Sequence, residues 1–221
     1  MTLVKICGLK DLETARSALE AGADMLGFVF APSRRRVDPA TVLEIVRGCR
    51  RSYRSGWAAV GVFAGQPLSL VREITAFCDL NAVQLSGDEP LEYCRALPGP
   101  IFRTVHMAPA DAACRTGVAH LAMSSSLRAL HQANIRLLLD TGSASQWGGT
   151  GRVFEWEAVG DVARDCVIAG GLTPSNVGEA IRTLHPWAVD VSSGVEVDGQ
   201  KDPWLIRRFI SEVRRSDDNE S

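Results

Sequence analysis

The sequence has no C-x-x-C pair: its six cysteines, Cys7, Cys49, Cys78, Cys94, Cys114 and Cys166, are scattered along the chain. That spacing argues against a zinc site and against a disulfide framework, and it fits a reducing, cytoplasmic setting. No apolar run approaches transmembrane length, and the opening M-T-L-V-K-I-C turns polar too soon for a signal peptide. Neither sign of charge dominates. The formal net charge is −2, so no global field recruits nucleic acid or an anionic membrane. Also missing are a metal-ligand cluster, a Ser-His-Asp order and a dinucleotide-binding fingerprint. The glycine-rich run Gln146-Trp147-Gly148-Gly149-Thr150-Gly151 has no lysine and lacks P-loop spacing, so it reads as a closing loop.

What is present is a steady alternation. Apolar residues make up 46% and charged residues 23% of 221, the balance of a globular chain of one domain. Eight short apolar runs read as strands: Leu3–Cys7, Met25–Phe30, Trp57–Phe63, Ala82–Leu85, Ile101–Val105, Ile135–Asp140, Cys166–Ala169 and Trp187–Val191. Helical periodicity fills Leu12–Ala21, Pro39–Arg50, Leu68–Cys78, Pro90–Leu97 and Ser175–Leu184. Strands that alternate with helices indicate a parallel sheet, because each crossover helix covers one face. Eight such units without a linker predict an α/β fold, a single (β/α)8 TIM barrel over residues 1–213. The long stretch 106–134 predicts an insertion or second helix, and the charged run 214–221 predicts a frayed tail.

In a parallel barrel, chemistry gathers where strands end at their carboxyl side. The seventh run stops at Gly170-Gly171, followed by the helix-start signal Thr173-Pro174-Ser175-Asn176, and the eighth stops at Ser192-Ser193-Gly194. Either alone is an ordinary turn. At successive strand ends, their small residues leave backbone N–H groups converging on one spot, which predicts a phosphate clamp. The first run ends in Cys7-Gly8, where a thiolate can accept a proton if nearby positive charge stabilises it. The sixth ends in Asp140, which could stay protonated behind the closing loop and act as an acid. Three arginines, Arg34, Arg35 and Arg36, follow the second run, and one of them could fork onto a substrate carboxylate. Gln84 alternates with apolar neighbours and is expected to hydrogen-bond inside the barrel. One acid and one base around a sugar phosphate suit a proton-transfer isomerisation.

With these parts in place, the chain closely resembles the phosphoribosylanthranilate isomerases of tryptophan biosynthesis. The resemblance runs in order through V-K-I-C-G-L, A-G-A-D-M-L-G-F-V-F, V-G-V-F, A-V-Q-L-S-G-D-E, L-L-L-D-T, G-G-T-G-R-V-F-E-W, A-G-G-L-T-P-S-N-V, V-D-V-S-S-G-V-E and G-Q-K-D. It implies an aldose–ketose (Amadori) rearrangement of N-(5-phosphoribosyl)anthranilate to 1-(2-carboxyphenylamino)-1-deoxyribulose 5-phosphate. Carried over by motif, Asp140 is the general acid on the furanose ring oxygen and Cys7 the general base at C2. Arg35 would hold the anthranilate carboxylate, with Arg36 as its competitor. Gly171 and the Ser193-Gly194 backbone would bind the phosphate. No cofactor or metal is implied, and the only expected partner is the small phosphorylated substrate, with the chain a monomer or homodimer.

Two positions depart from the family pattern. Ser86 stands where the family usually has His in Val-Gln-Leu-His-Gly, and Arg36 stands where an aromatic is common. Three other readings fit parts of the sequence. An isomerase of another phosphoribosyl compound, as in the histidine pathway, would carry Asp where this chain has Cys7. A silent sugar-phosphate-binding barrel would not need both Cys7 and Asp140. A purely structural subunit of a larger synthase would need an exposed apolar patch.

Overall fold

The computed structural model describes residues 1–106, 130, 133–140 and 160–218. The expected closing loop at Gly148–Gly151, Cys114 and nearly all of the 106–134 stretch lie outside the described residues. Eight strands close into one barrel in the order β1 to β8: Leu3–Cys7, Met25–Val29, Ala58–Phe63, Ala82–Leu85, Ile101–His106, Ile135–Asp140, Val167–Ala169 and Ala188–Val191. Every neighbouring pair is parallel, including β1 with β8, where Lys5 lies opposite Asp190. The closed barrel is the architecture expected from the alternation, and each strand lies within a residue of its sequence estimate.

Strand alternation sorts side chains onto two faces. Val4, Ile6, Leu26, Phe28, Val83, Leu85, Ile168 and Val189 point outward into the layer beneath the helices. Met25, Val60, Ala82, Phe102, Leu138, Val167 and Ala188 fill the barrel's interior. Above them, at the carboxyl end, Cys7, Val29 and Val62 line the mouth. On β1 the inward set is therefore Leu3, Lys5 and Cys7.

The helices cover the outside. α1 (Leu12–Glu20) and α2 (Pro39–Ser52) start at aspartates, Asp11 and Asp38, whose side chains accept from the backbone N–H groups of Thr14 and Thr41. α2 buries Val42, Ile45, Val46 and Cys49, the i, i+3, i+4, i+7 stripe of a helix lying on a sheet. α3 (Leu68–Phe77) and the short α4 (Leu91–Arg95) follow, then α5 (Val177–Leu184). α5 begins two residues later than its capping signal suggests. Thr173 N–H donates to Asn176 Oδ1 at 2.7 Å, so Thr173 to Asn176 form a turn ahead of the helix.

The frayed tail is corrected by the structure up to Asp218. Residues 203–218 form one helix, α6, which buries Ile206, Phe209, Ile210 and Val213. Its charged end is anchored: Arg214 donates to the carbonyls of Thr2 and Gly22, and Asp217 accepts from both the N–H and the hydroxyl of Thr2 at 2.8 Å. Charge density alone misleads here, because these charges meet backbone groups at the start of β1. No helix among the described residues is long and apolar enough to cross a membrane.

Candidate active site

The site is built on the mouth of the barrel, with β1 at its centre. Cys7 ends β1, is 7% exposed, and its backbone sits opposite Gly27 of β2. Two residues below, Lys5 is fully buried, and its Nζ donates to Asp190 Oδ2 at 2.9 Å across the β1–β8 seam. Gly27 makes room for this group. A Cβ there would stand 2.9 Å from Cys7 Sγ and 3.1 Å from Lys5 Nζ, so any side chain would intrude between thiol and ammonium.

Burial dominates the electrostatics. It pushes the Cys7 thiol up, against the downward pull of the Lys5 ammonium, and the upward shift prevails. For Lys5, burial acts downward, but Asp190 and then Cys7 outweigh it and hold the ammonium above its ordinary value. Burial also lifts the Asp190 carboxyl beyond what Lys5 takes back, a direction that by itself argues against the ion pair. The 2.9 Å contact and the cationic Lys5 favour the ionised pair. Asp190 Oδ1 and Gln84 Oε1 are buried without a hydrogen-bond partner among the described residues.

A second cluster leans over the mouth. Beyond β8 the chain makes a short 3-10 turn, Ser193–Val195, and a small antiparallel hairpin, β9 (Glu196–Val197) with β10 (Gln200–Lys201). Glu196 accepts from Arg35 Nε at 2.6 Å, Arg35 Nη2 at 2.9 Å, Arg34 Nη2 at 2.9 Å and Lys201 Nζ at 2.7 Å. Burial raises the Glu196 carboxyl, but the hydrogen bonds from Arg35 and Lys201 overcome it and bring it down to about 2. Lys201 Nζ also donates to the Ser192 carbonyl at 3.0 Å, and Ser192 Oγ donates to the Cys7 carbonyl at 3.1 Å. The end of β1, the turn after β8 and the arginine loop are thus one hydrogen-bonded unit.

Of the three arginines, Arg35 turns inward. It crosses above Gly8, whose own Cβ would fall 2.6 Å from Arg35 Cδ. Arg36 is exposed; its backbone bridges to Val29 and its N–H donates to the Ser33 carbonyl at 3.0 Å. Gly170 and Gly171 follow β7 with φ of +90° and +62°, and Gly171 is exposed. Gly194 lies against this loop so closely that a Cβ would be 1.8 Å from the Leu172 carbonyl oxygen. The two turns expected to converge are therefore in contact, with Ser192 half-buried and Ser193 exposed beside them.

Asp140 ends β6 in register with His106 of β5 and Ala169 of β7. Its carboxylate is 3.7 Å from His106 Nδ1. Gln84 points inward, with Nε2 3.2 Å from Ser86 Oγ and 3.4 Å from Thr104 Oγ1, while Ser86 and Thr104 hydroxyls lie 3.0 Å apart. Ser86 therefore serves this small polar cluster at the end of β4.

The family model described as N-(5'-phosphoribosyl)anthranilate (PRA) isomerase matches residues 4–212. The chain belongs to that family. The relative of that name from Moorella thermoacetica is 42% identical over 222 residues, covering 99% of this chain and 92% of the relative. The one from Desulforudis audaxviator is 43% identical over 218 residues, covering 98% of this chain and all of the relative. Among solved structures, the phosphoribosyl anthranilate isomerase of Thermotoga maritima superposes with a TM-score of 0.79 at 34% identity, covering 97% of this chain and 100% of that one. A second isomerase structure, in complex with reduced 1-(o-carboxyphenylamino)-1-deoxyribulose 5-phosphate, gives 0.77 at 32% identity, with 97% and 100% coverage.

Reading strand ends alone passes over Lys5, Asp190, Glu196 and Lys201. Two carried a usable signal. A lysine inside L-V-K-I-C and an aspartate inside A-V-D-V break apolar runs at positions that alternation assigns to the same face as Cys7. Glu196 and Lys201 carried none, because the hairpin that folds them back is too short to show a period.

Proposed function

We propose that this chain catalyses the isomerisation for which its family is named, converting N-(5-phosphoribosyl)anthranilate to 1-(2-carboxyphenylamino)-1-deoxyribulose 5-phosphate in tryptophan biosynthesis. The observation that carries the proposal is the placement of Cys7. It faces the barrel mouth between a buried ammonium below and a turn after β8 that is bonded to its own carbonyl.

In this reading the Asp140 carboxyl gives its proton to the furanose ring oxygen, and the C1–O bond breaks to leave a protonated imine (iminium). The Cys7 thiolate then takes the C2 proton and becomes the thiol. The electron pair released at C2 forms the enolamine, which tautomerises to the ketone. No net oxidation occurs and no cofactor is called for. The phosphate would rest where Gly170-Gly171 meets Ser193-Gly194, as the contact between those turns supports. Arg35 rather than Arg36 would receive the carboxylate. Its Nε–Nη2 edge is occupied by Glu196, so the substrate would meet the remaining edge of the guanidinium. The complex of a family member with a reduced product analogue supports a ligand of this shape and charge.

The test is to follow the fluorescence of freshly generated phosphoribosylanthranilate with wild type and Cys7→Ala side by side. Rapid loss with wild type and almost none with the variant is the expected result. No loss above background with folded wild type would sink the proposal; equal loss with both would retain the reaction and remove Cys7 as its base.

A further inference from the structure

A lysine with no exposed surface inside a barrel is costly unless its charge is used or matched. Lys5 is matched by Asp190, its register partner on β8, and the pair bridges the β1–β8 seam. It lies directly beneath the thiol, and only glycine at position 27 lets the two approach. Asp190 spends one oxygen on Lys5 and leaves the other without a partner among the described residues, so its fixed task is to hold the ammonium.

We propose that Lys5 is the positioning residue that supplies the counter-charge for the Cys7 thiolate, and that Asp190 aims it. This rests on the isomerase reading for its purpose, though not for its geometry. Against the upward push of burial, the ammonium below stabilises the thiolate formed when the thiol loses its proton to solvent before substrate binds; the thiolate then accepts the C2 proton. Lys5 itself exchanges no proton.

The groups facing Cys7 are Lys5 from its own strand, Asp190 from β8, Lys201 from β10 and Arg35 from the loop after β2, with Asp140 of β6 acting on Asp190. Among these cations Lys5 opposes burial most, and it is the one that hydrogen-bonds the thiol. Lys201 and Arg35 are already bonded to Glu196. They are the weaker candidates for the same task.

The test titrates Cys7 directly, as the thiolate absorbance near 240 nm of each protein minus that of its Cys7→Ala counterpart. Lys5→Met is expected to raise the midpoint by about one pH unit or more. It should also move the acidic limb of kcat/KM for phosphoribosylanthranilate by the same amount. Because Lys5→Met strands Asp190 and can unfold the barrel, a second comparison uses Asp190→Asn against Lys5→Met/Asp190→Asn, where loss of the lysine must again raise the midpoint. An unmoved midpoint in a folded pair overturns the assignment, since a merely structural lysine would change stability and leave the thiol alone. Failure of wild type to consume phosphoribosylanthranilate would instead strike the isomerase reading, whatever the titration shows.

Discussion

Glu196 holds the Arg35 guanidinium by its Nε and Nη2 edge, at 2.6 and 2.9 Å, and so fixes which side of that group faces the barrel mouth. A free arginine samples many rotamers, and ordering it costs roughly 2 kcal/mol of side-chain entropy. Glu196 meets that cost before substrate arrives. Glu196→Gln keeps the shape but forfeits charge-assisted bonds, each worth about 1.5–3 kcal/mol. It is expected to raise KM for phosphoribosylanthranilate about tenfold with a smaller change in kcat, measured by steady-state fluorescence decay.

The same carboxylate gives a pH signature. Its folded value of about 2 lies below the ordinary 4.5, so it adds stability that is fully present above about pH 4.5 and is lost as pH falls towards 2. The stability difference between wild type and Glu196→Gln, from urea unfolding, should be constant from pH 7 to 4.5 and shrink below that. A difference that grows on acidification would mean that Glu196 is not ionised in this cluster.

Asp140, at the end of β6, is the proposed general acid. Asp140→Asn removes the transferable proton without changing volume. Turnover is expected to fall about 10²- to 10⁴-fold, the usual span for a lost general acid, with the circular dichroism spectrum unchanged. Activity close to wild type would move the acid role elsewhere on the rim, with His106, 3.7 Å away, as the first residue to examine.

How far the sequence carried these conclusions differs between scaffold and site. The barrel was legible because each strand is a short apolar run and each helix an apolar stripe, as in α2, so both periods are written locally. Cys7, Asp140 and the two glycine-bearing turns were legible because they sit at strand ends. The helix α6 was not read from the sequence, and its last turn was taken into a frayed tail, since that end is rich in charge and only the tertiary contacts of Arg214 and Asp217 with Thr2 hold it. The pairing of Lys5 was hidden for the opposite reason. Lys5 is a charge in a core position, and its partner Asp190 lies 185 residues along the chain. Ring closure between β1 and β8 makes them neighbours, and no local pattern encodes that.

Gly194 is where the turns after β7 and β8 touch, and a methyl group there would stand 1.8 Å from the Leu172 carbonyl oxygen. Backbone cannot yield as a flexible side chain would. Gly194→Ala must therefore push the two turns apart, which should lower Tm by several degrees, as expected for about 2 kcal/mol in a chain of this size. If phosphate rests between them, KM should rise more than kcat falls. A melting curve with inorganic phosphate added separates the two effects: wild type should gain stability from the anion, and the variant should gain less.

The C-terminal helix offers a check on the fold that does not involve the site. Asp217 accepts two hydrogen bonds from Thr2, one from backbone and one from the hydroxyl, and so joins the last described turn of α6 to the first residues of the barrel. If residues 214–218 were merely a charged tail, Asp217→Ala would change stability by less than about 0.5 kcal/mol, as exposed substitutions do. Losing both acceptor bonds at a half-buried seam should instead cost roughly 1–3 kcal/mol. The change should appear as a lower urea midpoint with an unaltered slope, because the surface exposed on unfolding stays the same. Catalytic constants should not move, because the carboxylate binds Thr2 at the start of β1, the end of the barrel opposite Cys7.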